Sequence, residues 1–235
     1  MRYYVEINGN SSLDIIGLAI SELPSISKPL QRSNREEIDG RDGDVITKLG
    51  YSAYDKTLKI GLWGNYNIND VISFFNASGK ITFSNEPDKY YYFEILNRAD
   101  FINQLEAFRT ASITIHCQPF KYSAVEEKQI FTIDEETSVN VYNNGNIESK
   151  PIIKITGSGD ISLSLNGNQI FQIALGTDGY ITIDTSNMEA YKDGVLKNRL
   201  VQGDYSNFAL IPGKNTISFS GTITQIEIDN YSRWI

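Results

Sequence analysis

From Lys121 to the C-terminus the chain is a succession of short runs that alternate apolar and polar side chains, each closed by a turn signal after roughly 8–12 residues. A period of two gives every such run one buried face and one wet face. Lys150–Thr156 leads into Gly157-Ser158-Gly159-Asp160, which reads as a hairpin turn. Ile161–Leu165 leads into Asn166-Gly167, the strongest short hairpin signal. Gln169–Leu175, Tyr180–Asp184, Asn207–Ile211, Thr216–Ser220 and Thr222–Ile228 continue the pattern. At least seven strands of this kind predict a β-sandwich with a core of its own, and place a domain at 121–235.

The first 120 residues read differently. Tyr3–Asn8 alternates, Leu13–Ile20 is apolar, and Pro24 and Pro29 then argue against regular structure. Gln31–Asp44 is charged and ends in Asp39-Gly40-Arg41-Asp42-Gly43-Asp44, which predicts an extended arm or hairpin with a glycine-bearing tip. Tyr51–Leu62 is a strand. One helix is expected, with Asn69 as its cap, Val71, Ile72, Phe74 and Phe75 as its apolar stripe, and Gly79 as its left-handed end. Strands Lys80–Ser84, Lys89–Leu96 and Arg109–Gln118 follow, the last closed by Pro119. The expected fold is mainly β: an antiparallel, barrel-like α+β domain with one helix over 1–120, then the sandwich.

Composition narrows the function. The 235 residues are 40% hydrophobic and 21% charged, with no apolar run near the roughly 20 residues of a membrane span. The N-terminus has no signal-peptide core, so a cytoplasmic site of synthesis is expected. Net charge is −8; residues 1–120 carry 12 Lys+Arg against 15 Asp+Glu, and 121–235 carry 9 against 14. Neither half has the basic surface that dominates nucleic-acid affinity.

Candidate chemistry is sparse. His116 and Cys117 are the chain's one histidine and one cysteine. They are adjacent on a strand, so their side chains point to opposite faces and cannot form a nucleophile–base couple. A His/Cys zinc site lacks ligands. Asp39, Asp42 and Asp44 miss the spacing of an EF-hand loop. Gly157-Ser158-Gly159 joins strands, outside the strand-to-helix context of a nucleotide loop. Glycoside hydrolysis needs only two carboxylates, but nothing marks a pair among 29. The aromatics Trp63, Tyr90, Tyr91, Tyr92, Phe93, Tyr231 and Trp234 suit core packing, a subunit interface or a sugar platform on the sandwich. No catalytic, cofactor-binding or metal-ligating residue is assigned.

The order of these segments resembles a known family. Ile38-Asp39-Gly40-Arg41-Asp42-Gly43, the strand Tyr54–Ile60, the helix Asn69–Ser78, Gly79–Ser84, Pro87–Glu94 and Ile113–Tyr122 match the first half of the distal tail (Dit) proteins of long-tailed phages. Asn144-Gly145, Ser149–Gly157, Gly179–Asp184 and Leu210–Asn215 match the second. The resemblance implies a non-enzymatic virion protein at the tail tip, made in the host cytoplasm. It implies a homo-hexameric ring built by the N-terminal domains, with galectin-like C-terminal sandwiches as attachment points. Implied partners are the tail tube protein, the tail-associated fibre or lysin hub, the tape measure protein and a receptor-binding protein, with DNA crossing the lumen unbound. The alternatives are a carbohydrate-binding module, a hydrolase, or a part of a contractile or tail-like particle.

Overall fold

The structure, a computed structural model, describes residues 2–95, 102–105 and 108–235. The chain divides into two compact units, one through Ala124 and one from Val125 to Trp234. Among the described residues there is one α-helix, and no helix is long and apolar enough to cross a membrane. The architecture is mainly β, as the alternation predicts.

The first unit contains β1 (Val5–Ile7), β2 (Asn10–Ser11), β3 (Leu18–Glu22), β4 (Gln31–Glu37), β5 (Asp44–Tyr51), β6 (Tyr54–Trp63), α1 (Ile68–Phe75), β7 (Ser78–Phe83), β8 (Lys89–Glu94), β9 (Ile102–Leu105) and β10 (Phe108–Ser123). Its antiparallel sheet runs β2-β1-β7-β8-β10-β6-β3, with β9 also on β10. The inward face carries Leu58, Ile60, Leu62, Ile81, Tyr91, Phe93, Ile113 and Ile115, and Val71 and Phe75 of α1 pack against it. Among the described residues β4 and β5 pair only with each other, as a separate two-stranded sheet.

Three sequence expectations are corrected here. The helix cap lies two residues earlier than expected: Asn67, not Asn69, is the cap, its Oδ1 accepting the Asn69 N–H at 3.0 Å. The helix ends at Phe75, and Gly79 lies inside β7 instead of at the helix end. A Cβ there would sit 2.4 Å from Oδ1 of Asn8. Glycine leaves room for Asn8 to accept from Lys80 N–H and donate to the Ser78 carbonyl, each at 2.9 Å. Finally, β10 does not stop before Pro119. Its pairing with β8 slips between Cys117 and Lys121, and Pro119 sits in that irregularity, where its missing N–H costs no ladder bond. The β8 strand matches the expected aromatic run as far as Glu94; its predicted end, Leu96, lies outside the described residues.

The second unit contains β11 (Lys128–Thr132), β12 (Ser138–Asn143), β13 (Ile152–Leu165), β14 (Asn168–Gly176), β15 (Tyr180–Asp184), β16 (Glu189–Lys192), β17 (Val195–Leu196), β18 (Val201–Gly203) and β19 (Gly213–Asp229). One layer is β11-β19-β13-β15-β16-β17; the other joins β12 to β19, β19 to β13, β13 to β14 and β14 to β18. β13 and β19 belong to both. Their first ladder pairs Ile152–Thr156 with Gln225–Asp229, and their second pairs Ser162–Leu165 with Ile217–Ser220. Side chains from both layers, among them Ile155, Ile183, Ile226, Val141, Leu163 and Phe171, form one core, so the layers face each other as a sandwich.

Gly157-Ser158-Gly159 is therefore not a hairpin turn. It is the point where one long strand leaves one layer for the other. A Cβ on Gly157 would meet the Thr222 carbonyl at 2.1 Å, and one on Gly221 would meet the Asp160 carbonyl at 2.3 Å. The two strands cross too closely for side chains there. Thr216–Ser220 and Thr222–Ile228 are likewise one strand, bent at Gly221 (φ +100°). Asn166-Gly167 does make the expected tight hairpin, with φ of 49° and 86°. Asn207–Ile211 is not a strand: it is the end of a 3-10 turn followed by a single bridge from Leu210 to Ser149.

On the sandwich's outer face, Glu227 takes Lys128 at 2.6 Å and Lys154 at 2.8 Å. The two ammonium groups hold its carboxyl below the usual value of 4.5. A lowered native pKa gives stability that is full above pH 4.5 and is lost as pH falls through the native value. Urea midpoints of wild type and Glu227→Gln should differ near neutral pH and converge once the pH falls below the lowered native value. The crossing generates a second test. Gly221→Ala should destabilise by about 1–3 kcal/mol through strain and backbone collision. Gly159→Ala, also at positive φ but with open space around its Cβ, should cost about 1 kcal/mol. Urea denaturation with unchanged m-values checks the difference.

Candidate assembly surface

The segment between β3 and β6 leaves the first unit and returns. Its root is pinned from the sheet. Lys56 lies on β6 in phase with Leu58 and Ile60, so the strand period points it inward, and it is 5% exposed. Its Nζ donates to the Ser25 carbonyl at 2.8 Å. Asn85 Nδ2 donates to the Pro24 carbonyl at 3.2 Å and Tyr54 OH to the Ser27 carbonyl at 3.4 Å. Pro24 and Pro29 are themselves buried. The Ser52 N–H closes the root on the Leu30 carbonyl at 2.9 Å, and Tyr51 meets Phe120 edge-on at 5.4 Å.

Burial of Lys56 drives its pKa below 10.5. Around it lie the Tyr91 ring at 4.9 Å and the Tyr54 ring at 5.2 Å. Beyond Tyr91, Glu86 accepts from Tyr91 OH at 3.1 Å and pairs with the buried Lys121 at 2.7 Å. Burial, then the Glu86 charge, raises the Tyr91 phenol well above its ordinary value. Sequence reasoning missed this cluster, although the inward phase of Lys56 was visible in Asp55-Lys56-Thr57-Leu58-Lys59-Ile60.

Beyond the root, β4 and β5 form the predicted arm; the sequence reading ends it at Asp44 and assigns no element to residues 45–50, which belong to the return strand β5. From Arg32 to Asp44 every side chain is exposed. Leu30 is 71% exposed, Ile46 57%, Leu49 56% and Ile38 49%. Residues 36–44 carry Glu36, Glu37, Asp39, Asp42 and Asp44 against Arg41 alone, a net charge of −4. Glu37 and Asp44 are directly opposite each other in the ladder, a like-charge pair. A two-stranded sheet with no buried face is marginal in water. Exposed apolar groups on it point to a surface completed by another molecule.

The other singled-out residues fall apart as sites. His116 faces out and pairs with Asp55 at 2.7 Å, while Cys117 is fully buried and its thiol is pushed up to about 12 by burial. Asp39, Asp42 and Asp44 stay on the arm tip, and no group of metal-ligating side chains occurs among the described residues. Tyr91 and Phe93 enter the core; Tyr90 and Tyr92 cluster with Tyr122 on the other face, under Lys80. In the sandwich, the Tyr180 ring carries Lys154 and Lys192, both 5.1 Å from its centroid, and Tyr142 is the exposed aromatic of that unit. Tyr231 and Trp234 are half-buried. These residues do not assemble a stacking platform for sugars.

The chain has the fold of the Dit protein of phage SPP1, described as a paradigm of the hub adsorption apparatus in phages that infect Gram-positive bacteria. The two match with a TM-score of 0.73 and 19% identity over 97% of this chain and 99% of that one. A chain of the phage P2 baseplate, in its activated conformation with calcium, matches at 13% identity and a TM-score of 0.48 over 96% of this chain and 97% of that one; at that score it adds nothing to the argument. No family model matches the sequence, and no curated protein matches it.

The pinned root sets a test. Lys56→Ala leaves the Ser25 carbonyl without its donor and should cost about 1–3 kcal/mol. The loosening should appear as faster amide exchange at Ser52 and in β6, with the second unit unchanged.

Proposed function

We propose that the chain is a structural subunit of a phage tail tip, joining the tail tube to the adsorption apparatus. The observation that carries this reading is the fold shared with SPP1 Dit along nearly the whole of both chains, across both units. In this reading copies of the first unit close into a ring of six, and the sandwiches serve as attachment points for other tip proteins. One ring face meets the tail tube protein and the other a fibre or lysin hub, with the tape measure and receptor-binding proteins as neighbours. The protein works by fitting against copies of itself and these partners and catalyses no reaction.

Two physical features support it. The arm is a surface without an inside, which suits a contact between subunits. Where the arm of one copy meets a different surface of the next, the copies join head to tail, and such contacts close into rings when the rotation permits. The net charge of −8 per copy suits a passage for DNA, because phosphates find few cations to hold them.

Light scattering on the eluting protein at micromolar concentration, with negative-stain electron microscopy, tests the reading. Rings are expected. A strict monomer without rings, together with virions that lack the chain at the tail tip, would sink it. Replacing residues 32–50 by a short Gly/Ser linker should leave the melting temperature within about 3 °C of wild type, since the arm buries little. The same variant should form no rings.

A further inference from the structure

We propose that the surface made by Arg2, Ile16 and Trp63 is the seat for the arm tip of a second copy of this chain. The inference rests on the reading that copies assemble through the arm, and it names where the arm goes.

Trp63 ends β6 and is 45% exposed; Ile16 is 74% exposed. The two are held together: Trp63 N–H donates to the Gly17 carbonyl at 3.0 Å, and a side chain at Gly17 would collide with the Trp63 carbonyl at 2.4 Å. Arg2 is fixed over the indole. Its guanidinium carbon lies 5.8 Å from the ring centroid, and Nη2 donates to the Leu18 carbonyl at 2.7 Å. One donor is used of the five that a guanidinium carries. Tryptophan and arginine are among the residue types that dominate binding energy at protein interfaces, and here the arginine is already immobilised; Ile16 adds exposed apolar area. Their conformational entropy is in part already lost before a partner arrives.

The charge decides the occupant. The chain as a whole is acidic, and its most acidic exposed projection is the arm tip, at −4 over residues 36–44. Glu37 and Asp44 repel each other across the ladder. A cation brought to that end relieves the repulsion, and Arg2 supplies one. The tip also carries Ile38, 49% exposed, which matches the apolar part of the seat. The arm's seven-residue strand gives it a reach of about 20 Å. Arm and seat are different surfaces, so each copy gives an arm to one neighbour and receives one from another.

Cross-linking between copies tests the seat. An Ile16→Cys chain is mixed with an Asp42→Cys chain under mild oxidation. The native Cys117 is fully buried and stays out of the reaction. The control replaces the first chain with Ser206→Cys, an exposed position of the second unit. The expected result is a mixed disulfide dimer in yield about tenfold above the control, because docking raises the local thiol concentration. In parallel, Arg2→Glu and Asp42→Arg should each weaken self-association about tenfold, and the two together should recover most of it. No excess over the control while the unmodified chain still forms rings overturns the seat and leaves the ring reading standing. No excess, with a wild-type chain that is monomeric and forms no rings, overturns both.

Discussion

The arm exists as a defined object because Lys56 is held inside the first unit. An ammonium group placed on the core face of a sheet is costly unless it is bonded. Here its partner is the Ser25 carbonyl, a backbone group in a segment that has no strand to pair with. Each satisfies the other. The same side chain that would otherwise be a defect in the sheet fixes where the chain departs toward the arm. Tyr54 and Asn85 add bonds to the Ser27 and Pro24 carbonyls. Three backbone carbonyls within Pro24–Ser27 are thereby tied to strands and turns that belong to a well-packed core. What lies beyond them can be wholly exposed without losing its starting direction.

The second unit solves a different problem with a related economy of parts. A sandwich needs two layers in fixed relation. Here two strands, β13 and β19, run through both layers and are paired with each other in each. The crossing has no room for Cβ atoms, which is why Gly157 and Gly221 stand opposite carbonyls of the facing strand. Around that crossing the aliphatic residues of both layers close one core. Phe171 adds a stacked contact with Phe208 at 5.5 Å and an edge contact with Tyr205 at 5.1 Å. The layers need no further connection to stay in register.

Much of this was legible in the sequence, and the errors have a common cause. Alternation located the long strands β6, β8, β10, β13, β14, β15 and β19 and passed over shorter ones, among them β11, β12, β16, β17 and β18; Asn166-Gly167 fixed a hairpin, because left-handed turns are local properties. Gly157-Ser158-Gly159 was misread because a glycine pair that ends a strand and one that lets a strand pass another look alike; the difference lies in Thr222, 65 positions away. Gly79 was assigned to the helix end for the same reason: the residue that requires it, Asn8, is remote. Pro119 reads as a stop wherever no partner strand is known to slip beside it. The arm was legible from its charge and its glycines. The root was not, since nothing local distinguishes Lys56 from Lys59 except phase, and the phase has meaning only once Leu58 is known to face inward.

A fold shared at 19% identity over almost the full length fits this division between local and remote constraints. Aliphatic core positions ask only for volume and for the correct face of the strand, so Val, Ile and Leu exchange among them at small cost. Turn and crossing positions ask for something narrower. Asn166 and Gly167 must reach positive φ, and Gly157 must leave space for a carbonyl. Such positions admit few alternatives, so the spacing of turns along a chain carries more of the fold than the identity of its core. The arm belongs to neither class. Its side chains answer to no core and to no turn, and the charge they carry, −4 around the tip of a chain already at −8, weighs against self-association unless a cation receives it. An arm that is to join copies of this protein therefore requires a cation beside exposed apolar groups elsewhere on the same chain, and the complementarity must be written twice, once on the projection and once on its seat.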